Sequence, residues 1–374
     1  MPDRRTAHPY YTYDAIQSQP AVVEKVLAQR DAIHRAAEAV AAKQRIFFVG
    51  IGTSLHAAQI ASSWMREFTG GRLLAHFEQP FELLHHPIAL SQGDAVIVIT
   101  HTGTSTASVQ ALAIARAAGA LTVSITGQNA GEGARVADFQ IETCEQEVSF
   151  AYTKSYTAAL AAIAHMAIHV AHRQKLLSLA NAAVELDRVP ALLREALQLE
   201  PQVRELAARV AALPRIVLFG AGLGWLTARE AALKIKESCY IAAEGFETEE
   251  VLHGPFSELD SRAALVGILS GRPSDDRARQ ILRAAGEVRA SGFVDTNPDG
   301  KMIRIVVTPP SANHDISADQ VLVVPEVPEW LSAFVQLVPL QLLSYFIALA
   351  RGLNPDTGRQ DQPAHAAASK HYKY

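Results

Sequence analysis

The sequence predicts an α/β protein built from two copies of one unit, each a mainly parallel sheet with helices on both faces. Three observations carry this. Short continuous apolar runs alternate with segments of helical period. The run RIFFVG at 45–50, followed by Ile-Gly, returns at 215–220 as RIVLFG, followed by Ala-Gly. Both runs end on a glycine-rich turn that opens a helix, the end of a parallel sheet at which α/β proteins bind ligands.

In chain order, RIFFVG is apolar throughout, as suits a strand buried on both faces. SLHAAQIASSWMREF (54–68) follows with helical spacing. AVIVIT (95–100) is the second strand, with a helix through Ala107–Ala118 behind it; LTVSITG (121–127) is the third and FQIET (139–143) the fourth. A long helix from Ser155 to Ala171 closes the unit. The second copy runs from RIVLFGAGLG (215–224) through a helix at Leu226–Tyr240. Strands are expected at AALVGILS (263–270), GFVDT (292–296) and MIRIVVT (302–308), with QVLVVP (320–325) as an edge and a closing helix at Trp330–Arg351.

The chain has 374 residues, long for one core, with 49% hydrophobic and 19% charged residues, an ordinary globular composition. A net charge of -4 without a basic tract argues against nucleic acid as a partner. The N-terminus MPDRRTAHPYYTYDAIQSQP has no apolar signal core, and apolar runs such as 151–172 are broken by Lys154, His165 and His169. Two cysteines, Cys144 and Cys239, give no disulfide framework. The expectation is a two-lobed cytoplasmic protein that does not enter a membrane.

Candidate chemistry gathers at the turns. In GIGTSLHAA, Gly50 and Gly52 permit a tight turn, and Thr53 and Ser54 stand where a helix begins. The turn alone reads equally as an anion site or as a helix capped by Ser54. HTGTSTAS (101–108) then clusters Thr102, Thr104, Ser105 and Thr106 round Gly103, more hydroxyls than one cap needs. AYTKSYT (151–157) brings further hydroxyls and Lys154 to a third helix start. Three such turns in one repeat argue for a phosphate-bearing ligand, without the Gly-Lys-Ser/Thr of a Walker loop. The second copy's GAGLGWLTARE has Leu223 and Gly224 in place of the Thr-Ser pair and reads as lacking a phosphate site.

In REAALKIKESCY, Lys234 and Glu237 lie three apart on one helix face. Such a pair is commonly a solvated ion pair, but Ala231, Ala232, Leu233, Ile235 and Tyr240 around it suggest burial, where a carboxylate beside a lysine suits a general base. His253 precedes Gly254-Pro255, a rigid turn that aims the imidazole; His85, His86, His165 and His169 lack such a context and read as packing or surface residues. Neither HExxH nor a Cys–His cluster supports a metal site.

Together these stretches resemble the sugar isomerase (SIS) family, in particular the isomerase part of its glucosamine-6-phosphate synthase members. The resemblance runs from DAIQSQP (14–20) through the three hydroxyl-rich turns and EAALKIKESCYIAAEGFETEEVLHGP to VPLQLLSYFIALARGLNPD (338–356). It implies two tandem SIS-type three-layer αβα units with flavodoxin-like sheets. Their expected bounds are an entry segment at 1–30, a first SIS domain at 31–175, a helical connection at 176–213, a second SIS domain at 214–352, and a tail at 353–374 that closes over the active site.

The resemblance also implies roles. Gly52, Thr53, Ser54, Thr100, Thr102, Gly103 and Ser105 would surround a sugar phosphate, with Tyr152 and Lys154 from the third turn. His101 stands where the synthases usually have Gln and would lie close to the ligand. Glu237 would move a proton between C1 and C2, assisted by Lys234, and His253 would open the sugar ring from the neighbouring subunit of a homodimer. No metal or organic cofactor is implied.

Three departures qualify the likeness. With Met1-Pro2 at its start and no glutaminase stretch, this chain alone is not expected to act as a complete glutamine-dependent synthase. Thr104 stands where the synthases carry Glu, and Tyr152 where they carry Ser. The tail NPDTGRQDQPAHAAASKHYKY lacks the Pro-Arg-x-Leu-x-Lys pattern whose lysine forms a Schiff base; Arg359 and Lys370 are the nearest candidates. The leading expectation is an enzyme that converts glucosamine 6-phosphate to fructose 6-phosphate and ammonia. A deglycase for 6-phosphofructosyl-amino acids is the alternative. A non-catalytic sugar-phosphate sensor would need only the turns, and a purely structural role would need neither them nor the Lys234, Glu237 and His253 set.

Overall fold

A computed structural model describes residues 5–175, 181–288 and 300–371. The strand expected at 292–296 lies outside them. The chain divides into two compact units, each built on one sheet. The first-sheet unit takes in described residues 18–147, 152–175, 181–190 and 362–371; the second-sheet unit takes in 5–17, 148–151, 191–288 and 300–361.

The chain opens with helices α1 (Tyr11–Leu27) and α2 (Arg30–Ala41), then alternates β1 (Arg45–Val49), α3 (Thr53–Phe68), β2 (Leu74–Glu78), α4 (Pro80–His85), β3 (Asp94–Ile99), α5 (Thr106–Ala117), β4 (Leu121–Thr126), β5 (Phe139–Glu142) and α6 (Lys154–Arg173). The five strands are all parallel, in the order β2-β1-β3-β4-β5. Side chains alternate across the sheet. Phe47, Val49, Val96 and Val98 pack on one face with Leu83 of α4 and Ala111, Leu112 and Ala115 of α5. Helices α2, α3 and α6 pack together as the other layer.

Helices α7 (Ala182–Asp187), α8 (Val189–Leu197) and α9 (Glu200–Val210) follow. Then come β6 (Arg215–Gly220), α10 (Leu223–Cys239), β7 (Ala242–Glu247), β8 (Ala263–Ile268), α11 (Asp275–Ala285), β9 (Ile303–Thr308), β10 (Gln320–Val323), α12 (Ser332–Ala350) and α13 (Pro363–Ala368). The second sheet is also wholly parallel, in the order β10-β9-β8-β6-β7. Numbered within its own repeat, each sheet reads 2-1-3-4-5, the flavodoxin-like order, whose ligand crevice lies where the strand order reverses. The long apolar segment Glu329–Ala350 is the one stretch among the described residues long and apolar enough to cross a membrane. In the fold α12 is buried almost throughout and packs on α9 and α10, so it is a core helix.

Two strands escaped the sequence reading, and they occupy the same place in both repeats. LAHFE (β2) and AAEGFE (β7) are edge strands beside β1 and β6, partly open to solvent, and so lack the continuous apolar run of a central strand. Part of the acidic stretch after α10 is therefore a strand over 242–247.

Candidate functional site

Each repeat leaves its first strand through a glycine of the same conformation: Gly52 at φ 55°, ψ -124° and Gly222 at φ 56°, ψ -125°. An L side chain is strained there. Space is short as well, since a Cβ on Gly50 would come within 2.4 Å of the Ser54 backbone. The chain can turn this tightly into α3 only with glycine at both positions. Thr53 and Ser54 are thereby placed on the first turn of α3, where free N–H groups and the helix dipole favour an anion.

Beside them opens a small recess, continuous with solvent. Its polar lining includes Thr53 and Ser54 after β1, His101 after β3, and Tyr152, Ser155 and Tyr156 at the start of α6. It thus lies at the carboxyl ends of β1, β3 and β4, at the reversal of strand order between β1 and β3.

Other residues of the second turn shape it rather than line the recess. Thr100 is buried, and its N–H donates to the Ile125 carbonyl at 3.0 Å. The Thr102 hydroxyl accepts from the N–H and hydroxyl of Thr104, and its carbonyl accepts from Gly131. Gly103, at φ 65°, is pressed so closely on Ala130 that a Cβ would come within 2.9 Å of that side chain. Ser105 is the residue before α5 and makes no capping bond through its side chain.

The imidazole of His101 is held from several sides. The backbone N–H of Glu147 donates to Nε2 at 2.9 Å, and the Tyr152 ring packs edge-on at 4.9 Å. The His101 carbonyl accepts from the N–H of Gly127 and from the Gln146 side chain. Burial pushes the imidazole below the ordinary histidine range; the Glu147 carboxylate opposes this and Lys154 reinforces it.

At the third turn the N-terminus of α6 is already occupied. The carboxylate of Glu147 accepts from the N–H groups of Thr153 and Ser155 at 3.0 and 2.8 Å. Lys154 lies 3.8 Å from Glu145 and is not part of the recess lining. The first of the three hydroxyl-rich turns places both Thr53 and Ser54, at the start of α3, in the recess lining.

On α10 the Lys234 ammonium is buried between two carboxylates, 2.6 Å from Glu237 and 3.5 Å from Glu230. Glu230 and Lys234 are closed off from solvent, whereas the Glu237 side chain is 21% exposed. Glu230, one helical turn before Lys234, is a member that sequence reasoning missed, although its spacing was a usable signal. The His253 side chain is 74% exposed, with Glu249 at 3.9 Å; its own chain does not enclose it. Lys370 is exposed on a short helical turn after α13. Arg359 instead lies over the Tyr240 ring at 4.4 Å, its N–H donating to the Tyr240 hydroxyl at 2.7 Å.

Among the described residues no group of three or more His, Cys, Asp or Glu side chains is arranged to hold a metal ion. His165 and His169, expected as packing or surface residues, meet His34: its Nε2 is 3.0 Å from that of His165, and its ring stacks on His169 at 4.3 Å. His169 in turn contacts Glu38 at 2.8 Å. Burial and the neighbouring histidines and Arg30 push His165 down to about 4, with Asp187 opposing.

Residues 40–169 match the SIS domain family. Over 364 residues the chain is 30% identical to the glutamine–fructose-6-phosphate aminotransferase (isomerizing) of Thermococcus kodakarensis, an alignment that takes in 95% of this chain and 58% of that protein. The chain thus spans little more than half the length of the curated relative it matches. Among solved structures, the C-terminal domain of glucosamine-fructose-6-phosphate aminotransferase from Francisella tularensis shares the fold at a TM-score of 0.83 and 22% identity, covering 94% of this chain and 99% of that one. Glucosamine-6-phosphate deaminase from Thermotoga maritima does so at 0.71 and 18% identity, covering 93% and 97%. Residues 40–169 thus match the SIS domain, within a two-sheet fold that nearly the whole chain shares with the Francisella tularensis domain.

Proposed function

We propose that this protein is a phosphosugar isomerase of the deaminating kind, which converts glucosamine 6-phosphate and water to fructose 6-phosphate and ammonia. The observation that carries the reading is the solvent-open recess at the start of α3, where Thr53 and Ser54 meet His101 at the reversal of strand order. A phosphate monoester suits that end of a helix, with hydroxyl donors and the helix dipole supplying the stabilisation. Thr100, Thr102, Gly103 and Ser105 form the adjoining turn, and Tyr152 bounds the sugar end.

The acid–base work falls to α10. Glu237 takes the proton from C2 of the open-chain sugar and returns it at C1, and Lys234 holds its carboxylate in place at 2.6 Å. A proton-transfer group of this kind contributes about 10²–10⁴-fold in rate. His253 opens the sugar ring, acting from the neighbouring subunit of a homodimer, which accords with its exposure on its own chain. Lys370 is the tail group assigned to carbonyl chemistry on the open-chain sugar. The relatives' printed names, an aminotransferase that isomerises and a deaminase, support the same substrate class.

The test is to supply glucosamine 6-phosphate and follow ammonia and fructose 6-phosphate. Glu237→Gln is expected to lose about 10²–10⁴-fold in turnover while binding glucosamine 6-phosphate as the wild type does. Full activity in that variant removes Glu237 from the mechanism. Release of free amino acid from 6-phosphofructosyl-amino acids, with no ammonia from glucosamine 6-phosphate, would replace the deaminase by a deglycase. Mixing His253→Ala with Glu237→Gln subunits should restore turnover if the sites are shared, and leave it absent if they are not.

A further inference from the structure

We propose that His34 and His165 form a two-nitrogen site for a late first-row divalent ion such as Zn²⁺ or Cu²⁺, a metal clip between α2 and α6. The site lies within the first-sheet unit and does not depend on what fills the recess.

Helical spacing brings the histidines together. His34 and Glu38 are four apart on α2, and His165 and His169 four apart on α6, so each pair shares one helix face. The two helices pack on one another, and the Nε2 atoms of His34 and His165 stand 3.0 Å apart. Their ring planes are 86° apart and their centroids 4.9 Å, so the imidazoles meet tip to tip. All three rings are partly exposed, which leaves an ion a way in.

Without metal, one Nε2–H donates to the other Nε2. Two neighbouring nitrogens on one ion, each bonded at about 2.0–2.1 Å, lie about 2.9–3.4 Å apart. An ion therefore replaces the shared hydrogen with little movement of either helix. The ring that donated moves its proton from Nε2 to Nδ1. The other already carries its proton on Nδ1, so no proton is released in total.

His169 is held aside. Its ring stacks on that of His34 at 4.3 Å, and its Nε2 lies 2.8 Å from Glu38, whose other oxygen meets Arg173. The chain thus offers two nitrogens, and the remaining positions on the ion fall to water. Asp31 and Glu38 act on His34, and Asp187 on His165, each in favour of positive charge. Arg30 opposes them, but both oxygens of Asp187 hold its guanidinium, at 2.8 and 3.0 Å. Imidazole pairs suit Cu²⁺, Ni²⁺ and Zn²⁺, whereas Mg²⁺ and Ca²⁺ prefer oxygen.

The experiment uses the full chain, stripped of metal by a chelator and titrated calorimetrically at neutral pH with ZnCl₂, CuCl₂ and MgCl₂ in turn. The expected result is one equivalent of Zn²⁺ per chain that raises Tm, tighter binding of Cu²⁺, and none of Mg²⁺. Both His34→Gln and His165→Gln should lose that equivalent and the rise in Tm; either one suffices if it folds by circular dichroism. His169→Gln should keep the equivalent, as should His85→Ala/His86→Ala, a control for surface histidines. In ¹⁵N-histidine spectra, Zn²⁺ should bring both rings of the pair to the Nδ1–H tautomer. A wild type without stoichiometric Zn²⁺ binding overturns the proposal. So does an equivalent retained by the folded His34 or His165 variant, or lost from either of the other two.

Discussion

The turns at 50–54 and 220–224 share one backbone and differ in what stands on it. At the first, Thr53 and Ser54 line an open recess. At the second, Leu223 is buried, and Glu329 Oε1 lies 3.0 Å from where a Cβ on Gly222 would be, with Arg272 as its ion-pair partner. A carboxylate beside a helix start occupies the place a bound anion would otherwise take. Duplication of the strand–turn–helix therefore copied the capacity to hold an anion, while the side chains decide whether that anion comes from solvent or from the chain itself. The helices behind the turns diverge in the same way. Helix α3 buries no Lys, Arg, Asp or Glu, whereas α10 buries Glu230 and Lys234.

The largest expected effect tests that divergence. Lys234→Met leaves Glu230 buried without its cation and should cost about 3–5 kcal/mol in urea denaturation. On α3, Ser62→Ala removes one buried bond, from Ser62 Oγ to the Ala75 carbonyl at 2.9 Å, and should cost about 0.5–1.5 kcal/mol. Equal losses would erase the contrast between the helices.

Next in size are Gly52→Ala and Gly222→Ala. Both force a side chain into the same backbone conformation, so each should cost about 1–3 kcal/mol. Only Gly52→Ala should also weaken sugar-phosphate binding by calorimetry. A comparable loss of binding in Gly222→Ala would show that the second turn takes part in ligand recognition after all.

A pH-dependent effect belongs to the first-sheet unit alone. His165 titrates near 4 in the fold and near 6.5 when exposed, so between these values the unfolded chain binds the proton first. Stability should fall as pH drops from about 6.5 towards 4 and be fully present above that window. His165→Phe should flatten this part of the Tm profile, and an unchanged profile would assign the acid sensitivity elsewhere.

The central strands and principal helices were legible because their signals are local: unbroken apolar runs, glycine turns and helical spacing. β2 and β7 were not, since an edge strand such as LAHFE or AAEGFE need not be apolar on both faces. A trace of β7 did exist in Gly245, where a Cβ would come within 2.5 Å of the Ala228 and Arg229 backbone of α10. The site divided along the same line. Thr53, Ser54 and the Lys234–Glu237 pair could be read from turn chemistry and spacing. That Glu147 fills the start of α6, that Glu329 reaches the second turn, and that Lys154 lies beside Glu145 depend on approaches between distant or irregular segments, which no local pattern encodes.

The Asp356 carboxylate accepts from the N–H groups of Tyr11 and Thr12 at 2.9 and 2.8 Å and from the Thr12 hydroxyl at 2.7 Å, while its carbonyl accepts from Phe150. On the ribosome the partner of Tyr11 is thus made 345 residues later. Strands β1 to β5 have all been synthesised long before that bond can form, so the first sheet can assemble while the start of α1 still waits for its cap. Asp356 makes completion of the second-sheet unit a late event of synthesis, and a ribosome stalled before it leaves the opening helix without its C-terminal anchor.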